Sequence, residues 1–130
     1  MDEAVFTSKT MRLTDYTASK LPHRIPQTSV NQPVYALIFA ISAEHGLEHY
    51  QIFEKSIDNE KFISYLEELL VNNKHDSIAI FMDNLRVHTS PEVIMKMTEL
   101  QFDKVFNVPY QPDYNPAESC LSKVKNFYKR

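Results

Sequence analysis

The apolar positions fall into runs whose spacing changes along the chain, and each change marks an element. Val34 to Ser42 reads VYALIFAIS, a nearly continuous β-branched and aromatic stretch, and beyond Gly46 a second extended run covers Leu47 to Phe53. Two strand-like runs around a glycine predict a β-hairpin. Glu3 to Ser8 predicts a short leading strand, separated from the hairpin by a long polar connection, Lys9 to Gln32, marked by Pro22 and Pro26. After Asp58, the residues Phe62, Ile63, Leu66, Leu69 and Leu70 recur at helical spacing, so Asp58 is expected to cap a helix that lays one apolar face on a sheet. Ser77 to Met82 (SIAIFM) has strand length, is expected to be buried on both faces, and ends at Asp83. Thr89-Ser90-Pro91-Glu92 sets a hydroxyl, a proline and an acid in helix-start order ahead of Val93 to Gln101. Lys104 to Val108 predicts one more strand, and Asn115 is expected to cap a last helix with an apolar stripe of Leu121, Val124 and Tyr128. The order β-β-β-α-β-α-β-α predicts an α/β domain: a mixed sheet with helices on its faces.

Composition narrows the function classes. A chain of 130 residues, 43% hydrophobic and 24% charged, suits one globular domain. No apolar run approaches the ~20 residues of a membrane span, and Met1-Asp2-Glu3 opens no signal-peptide pattern, so membrane and secretory readings are set aside. Cys120, the one cysteine, can form neither an internal disulfide nor a thiolate cluster, which suits a reducing compartment: the nucleus in a eukaryote, otherwise the cytoplasm. One glycine leaves no Gly-rich phosphate loop, so nucleotide cofactors are excluded. The formal charge of -3 is unevenly spread: eight acids against three lysines lie between Glu44 and Asp76, whereas Lys123, Lys125, Lys129 and Arg130 close the chain. That basic end is the part suited to a polyanion such as DNA.

Three acids stand out by position: Asp2 at the first strand, Asp83 at the end of the central strand and Glu118 in the first turn of the last helix. Carboxylates gathered at one edge of a covered sheet repel one another, and hard divalent cations relieve that repulsion. Two such ions ~3.5–4 Å apart can activate a nucleophile and stabilise the leaving oxygen of a phosphodiester. Each acid also has a plainer reading. Asp2 could be a solvated terminal acid, Asp83 a turn cap, and Glu118 the partner of Asn115 in a capping box. His45 and His49, interleaved with Glu44 and Glu48, would suit zinc on a helix, but Gly46 places them in a hairpin turn. Cys120 reads as a helix residue rather than a nucleophile. In the last helix Glu118, Ser122, Lys125 and Lys129 share one face, which sets lysine beside the acid and makes Lys125 the leading DNA-contact candidate.

The blocks Phe81-Met82-Asp83-Asn84-Leu85-Arg86-Val87-His88 and Pro109-Tyr110-Gln111-Pro112-Asp113-Tyr114-Asn115-Pro116-Ala117-Glu118 resemble the second and third signature blocks of mariner-like DDE transposases, their acids parted by 34 residues. The Asp2-Glu3 opening with Phe6 is similar to the first block. The resemblance implies an RNase H-like fold and a Mg²⁺-dependent cut-and-paste transposase, Mn²⁺ substituting, that acts on transposon ends and target DNA. It implies that Asp2, Asp83 and Glu118 are the catalytic triad and hold two ions once DNA is bound, with Asn84, His88 and Asn115 beside them and a homodimer in the DNA complex. No helix-turn-helix pattern precedes Asp2, so residues 1–130 are expected to be a single catalytic domain without its N-terminal DNA-binding region. The alternatives are an inactive remnant that keeps the fold to bind DNA or protein, a stand-alone RNase H-like nuclease, and a doubly wound signalling domain with Asp83 as phosphoacceptor.

Overall fold

The computed structural model describes residues 1–6, 34–73, 77–109 and 114–128. Eight elements follow in the expected order: β1 (Asp2–Phe6), β2 (Tyr35–Ser42), β3 (Gly46–Glu54), α1 (Asn59–Asn72), β4 (Ile78–Met82), α2 (Pro91–Glu99), β5 (Phe102–Phe106) and α3 (Pro116–Tyr128). Strands β1, β2 and β3 form an antiparallel sheet in that order, and β4 pairs with β5 in parallel. The Met1 amino nitrogen donates to the Phe81 carbonyl at 2.8 Å, which sets β1 beside β4 and joins the two sheets edge to edge. The mixed α/β architecture expected from the element order is therefore present.

Local chemistry explains the boundaries. The hairpin turns at Gly46, whose φ of 78° is the left-handed conformation glycine adopts without a Cβ penalty. Asp58 caps α1, its carboxylate accepting from the Lys61 N–H at 2.9 Å, and Ser90 rather than Thr89 caps α2. Helices α1 and α2 pack on one sheet face over a core that includes Ile38, Phe62, Tyr65, Leu66, Ile80, Met82 and Met97. Helix α3 packs on the other face over β1, burying Ala117 and Leu121 against Ala4, Phe6 and Phe39.

Several expectations are corrected. The leading strand begins at Asp2 rather than Glu3 and is described to Phe6, the expected end at Ser8 lying outside the described residues, and the fifth is Phe102–Phe106 rather than Lys104 to Val108. The central strand is not buried on both faces: Ile80 and Met82 are buried but Ala79 is exposed, because the described α3 covers β1 and does not reach over β4. The stripe on α3 also ends early. Leu121 is buried, but Val124 is 42% exposed, since the helix runs past the strand it packs on. The connection from Lys9 to Gln32 lies outside the described residues. No described helix is long and apolar enough to cross a membrane.

Candidate active site

Strand β1 brings two adjacent acids to opposite faces of the sheet, because successive side chains alternate across a pleat. Asp2 shares a face with Ala4 and Phe6, the side covered by α3, whereas Glu3 lies with Met1 on the side of α1 and α2.

Asp2 is buried, at 7% exposure. Its Oδ1 accepts the Glu3 N–H at 2.8 Å, while Oδ2 is enclosed without a hydrogen-bond partner. Burial pushes its carboxyl up to about 6, and the charges of Glu118 and Asp83 push the same way against the Glu3 N–H. The three acids, from β1, the end of β4 and the first turn of α3, are thus close enough for the other two charges to act on Asp2.

Asp83 follows β4 directly. Its Oδ1 accepts from the Leu85 N–H at 3.2 Å and lies 2.9 Å from His88 Nδ1. Burial works to raise this carboxyl, but the hydrogen bond and charge of His88 outweigh it and hold the group below the usual carboxylate range. Two neighbouring carboxyls are therefore driven in opposite directions, a pattern common where acids divide a chemical task.

His88 is the hub of the site. It is 1% exposed, tilts against the Phe62 ring with centroids 4.7 Å apart, and places Nε2 2.7 Å from Glu3 Oε1. Burial pushes the imidazole down, yet its bonds to Asp83 and Glu3 prevail and lift it to about 9, so both ring nitrogens donate at neutral pH. His88 is thus a buried histidine with a carboxylate at each ring nitrogen. The Glu3 charge also reaches Tyr65, adding to burial in raising its hydroxyl.

The other expected residues divide. Asn115 is buried and caps α3, accepting the Ala117 N–H at Oδ1 at 3.1 Å, while its carbonyl takes the Glu118 N–H at 3.0 Å. Asn84 donates to the Asn107 carbonyl at 2.6 Å, and the Asn107 N–H donates to the Met82 carbonyl at 2.8 Å, so the segment carrying Asp83 is tied to the end of β5. Glu118 and Lys123 are exposed on α3 and Lys125 is half-buried there; Lys129 and Arg130 lie outside the described residues. His45 and His49 sit on the hairpin, as expected from Gly46, with His45 Nδ1 3.2 Å from Glu48 Oε1 and His49 Nε2 3.5 Å from Glu68 Oε2. Sequence reasoning missed Glu3. No local signal marks it, because its partner His88 lies 85 residues away in the chain.

The acids suit a hard cation. All the donors are carboxylate oxygens, and Asp2 Oδ2 is a buried acceptor without a donor, so the residues fit Mg²⁺ or Mn²⁺. Among the described residues no three His, Cys, Asp or Glu side chains stand close enough to enclose one ion, Glu118 being the exposed member of the set. A cavity of about 400 Å³ opens elsewhere, between β2 and β4 beside Met1, and none of the three acids lines it. Glu118 is exposed and the Asp83 side chain is 40% exposed, whereas Asp2 is buried.

A sheet with this strand order, helices on both faces and acids at the junction of β1 and β4 is the architecture of RNase H-like catalytic domains. A family model described as DDE superfamily endonuclease matches residues 1–130, and the chain belongs to that family. Among solved structures it is similar to the Mos1 transposase paired-end complex with left transposon end, with a TM-score of 0.68 and 16% identity over 96% of this chain and 40% of that one. The Mos1 transposase catalytic domain with raltegravir and Mg gives 0.65 and 17% over 77% of this chain and 55% of that one. A Mos1 mariner paired-end complex with Mn gives 0.68 and 16%, covering 96% and 40%. The chain thus spans about half or less of the transposase chains it matches, and at these identities the likeness establishes the fold. No curated protein matches.

Proposed function

We propose that the chain is the catalytic domain of a mariner-like DDE transposase, which cuts DNA at a transposon end and joins the freed 3′ hydroxyl to target DNA. What supports this reading is that Asp83 and Glu118, from two other elements, lie near enough for their charges to act on Asp2, which is buried although its Oδ2 has no donor. An uncompensated buried carboxylate destabilises the fold, and a bound cation would offset that cost. Asp2, Asp83 and Glu118 would hold the divalent ions, which when bound supply Lewis-acid activation of the attacking oxygen and charge stabilisation at the leaving oxygen.

The chain's own residues supply the rest. His88 and the Leu85 N–H hold one Asp83 oxygen, leaving Oδ2 for a ligand role, and the Glu3 N–H does the same for Asp2. Lys123 and Lys125 carry positive charge past Glu118 on α3, where it would neutralise backbone phosphates, and Lys129 and Arg130 follow them in the sequence. DNA is the partner, and assembly on two transposon ends would bring two copies together. The occurrence of transposon-end DNA in the similar Mos1 complexes supports this reading.

The test is strand cleavage and joining with Mg²⁺ or Mn²⁺ on transposon-end DNA. Asp83→Asn should abolish both steps while leaving DNA affinity intact; equal activity in that variant overturns the assignment. A remnant that only binds DNA or protein is the second reading, favoured by the absence of an enclosed ion site among the described residues. It predicts no Mn²⁺ binding by the wild-type chain.

A further inference from the structure

We propose that Glu3 is a positioning residue for Asp83, acting through His88: its carboxylate anchors the buried imidazole, which in turn holds one oxygen of Asp83 and leaves the other for a metal ion. The inference rests on the metal-binding reading above. Its geometry is a continuous chain of three side chains from two segments, with Glu3 Oε1 2.7 Å from His88 Nε2 and His88 Nδ1 2.9 Å from Asp83 Oδ1. Only the Asp83 end reaches solvent: the side chains of Glu3 and His88 are 11% and 1% exposed, that of Asp83 40%.

The placement of Glu3 is otherwise hard to account for. It points into the face that packs on α1 and α2, where an apolar side chain would meet no desolvation cost, and a buried ion pair is weak as a stabilising device. What the pair does well is fix direction. Asp83 lies just past the end of β4, so the sheet ladder does not hold it, and an unrestrained carboxylate there would rotate about both side-chain torsions. The grip of His88 and the Leu85 N–H on Oδ1 removes that freedom. The imidazole can do so only if its own plane is fixed, which the Phe62 ring on one side and the Glu3 carboxylate at the far nitrogen accomplish. An outer carboxylate that orients a ligand through histidine follows a general design of metal sites.

Glu3 also touches the second acid. Its main-chain N–H is the donor that holds Asp2 Oδ1. One residue thereby touches both Asp2 and Asp83, the first through its backbone and the second through its side chain and His88. A substitution keeps the first contact and removes the second, which makes the side-chain role separable.

The test is a Mn²⁺ titration of the full chain by calorimetry, with free Mn²⁺ counted by electron paramagnetic resonance. Glu3→Ala should weaken Mn²⁺ binding by about tenfold or more. Glu3→Gln, which keeps length and an oxygen acceptor for the His88 Nε2–H, should stay within about threefold of wild type. In an Asp83→Asn background Glu3→Ala should change affinity no further, whereas general loosening of the fold would weaken both backgrounds alike. Wild-type affinity in Glu3→Ala, or an equal loss in the Asp83→Asn background, overturns the proposal while Asp83-dependent Mn²⁺ binding keeps the metal reading. Wild-type binding that is absent, or indifferent to Asp83→Asn, overturns both. Should Glu3→Ala unfold at the titration temperature, Glu3→Leu fills the volume without the acceptor and carries the same expectation.

Discussion

The two faces of the sheet hold their acids in different ways. On the α1 and α2 side, twelve described core residues surround the anchor of Asp83, and His88 is packed against Phe62 within that core. On the α3 side five described buried residues fasten the helix that carries Glu118, and the same helix leaves Val124 and Phe127 in solvent, at 42% and 80% exposure. Asp83 is therefore set by the bulk of the fold, whereas Glu118 is set by the docking of one helix on one strand. Of the three acids of the proposed site, Glu118 is the one on the lighter described face, which suits the proposed role of an acid drawn into place by its ligands.

Phe62→Ala strikes the heavier face and should have the largest effect, a loss of about 4 kcal/mol in urea unfolding, because it empties the volume beside Leu66 and His88. It should also weaken Mn²⁺ binding by freeing the imidazole. Leu121→Ala strikes the lighter face, where half-exposed neighbours can relax into the gap, and should cost about 2–3 kcal/mol. If Leu121→Ala destabilises as much as Phe62→Ala, the two faces are equally stiff and the contrast drawn above is wrong.

The same contrast explains what the sequence disclosed. The element order and the hairpin were legible, because the β-branched run, Gly46 and the helical spacing after Asp58 are local signals that packing did not override. Asp2, Asp83 and Glu118 stand out in the sequence by their blocks, and their joint role is the proposal made above. Coverage was not: nothing in SIAIFM states that one helix would cover β1 and leave Ala79 open, since that depends on where α3 comes to rest. Glu3 was hidden for a related reason. Its partner is 85 residues away, and only the pleat of β1 and the position of His88 together reveal that an acid points inward.

Asp2 sharpens the comparison through pH. With chelator present, its folded carboxyl titrates at about 6, above the ordinary value, so the folded chain prefers the protonated form. The sign follows: Asp2 is no burden below about pH 4, and its cost grows as pH rises through 6. Asp2→Asn should therefore stabilise the metal-free chain by about 1–2 kcal/mol at pH 7.5 and leave it unchanged at pH 4. Asp83, held low by His88, has the opposite sign, since its contribution is present above pH 4 and is lost as pH falls. Thermal melts of Asp2→Asn at the two pH values check the expectation, and an equal melting temperature for variant and wild type at pH 7.5 would sink it.

Glu118→Gln should have the smallest effect on folding and the sharpest on function. Asn115, not Glu118, supplies the described cap of α3, through its Oδ1 on the Ala117 N–H, and Glu118 itself is exposed. Glutamine keeps helix propensity and length, so stability should change by less than about 1 kcal/mol. The negative charge that a metal ligand requires is gone. Cleavage and joining of transposon-end DNA should be lost, with DNA affinity and melting temperature nearly unchanged. Asn115→Ala should do the reverse: it removes the cap, costs about 1 kcal/mol, and leaves the charge of Glu118 in place on a helix that starts less firmly. Activity in Asn115→Ala should then fall only in part and recover with added Mn²⁺, because a ligand on the lightly fastened face can still be drawn into position. Full joining activity in Glu118→Gln would remove the third acid from the site and leave α3 with no task beyond covering β1.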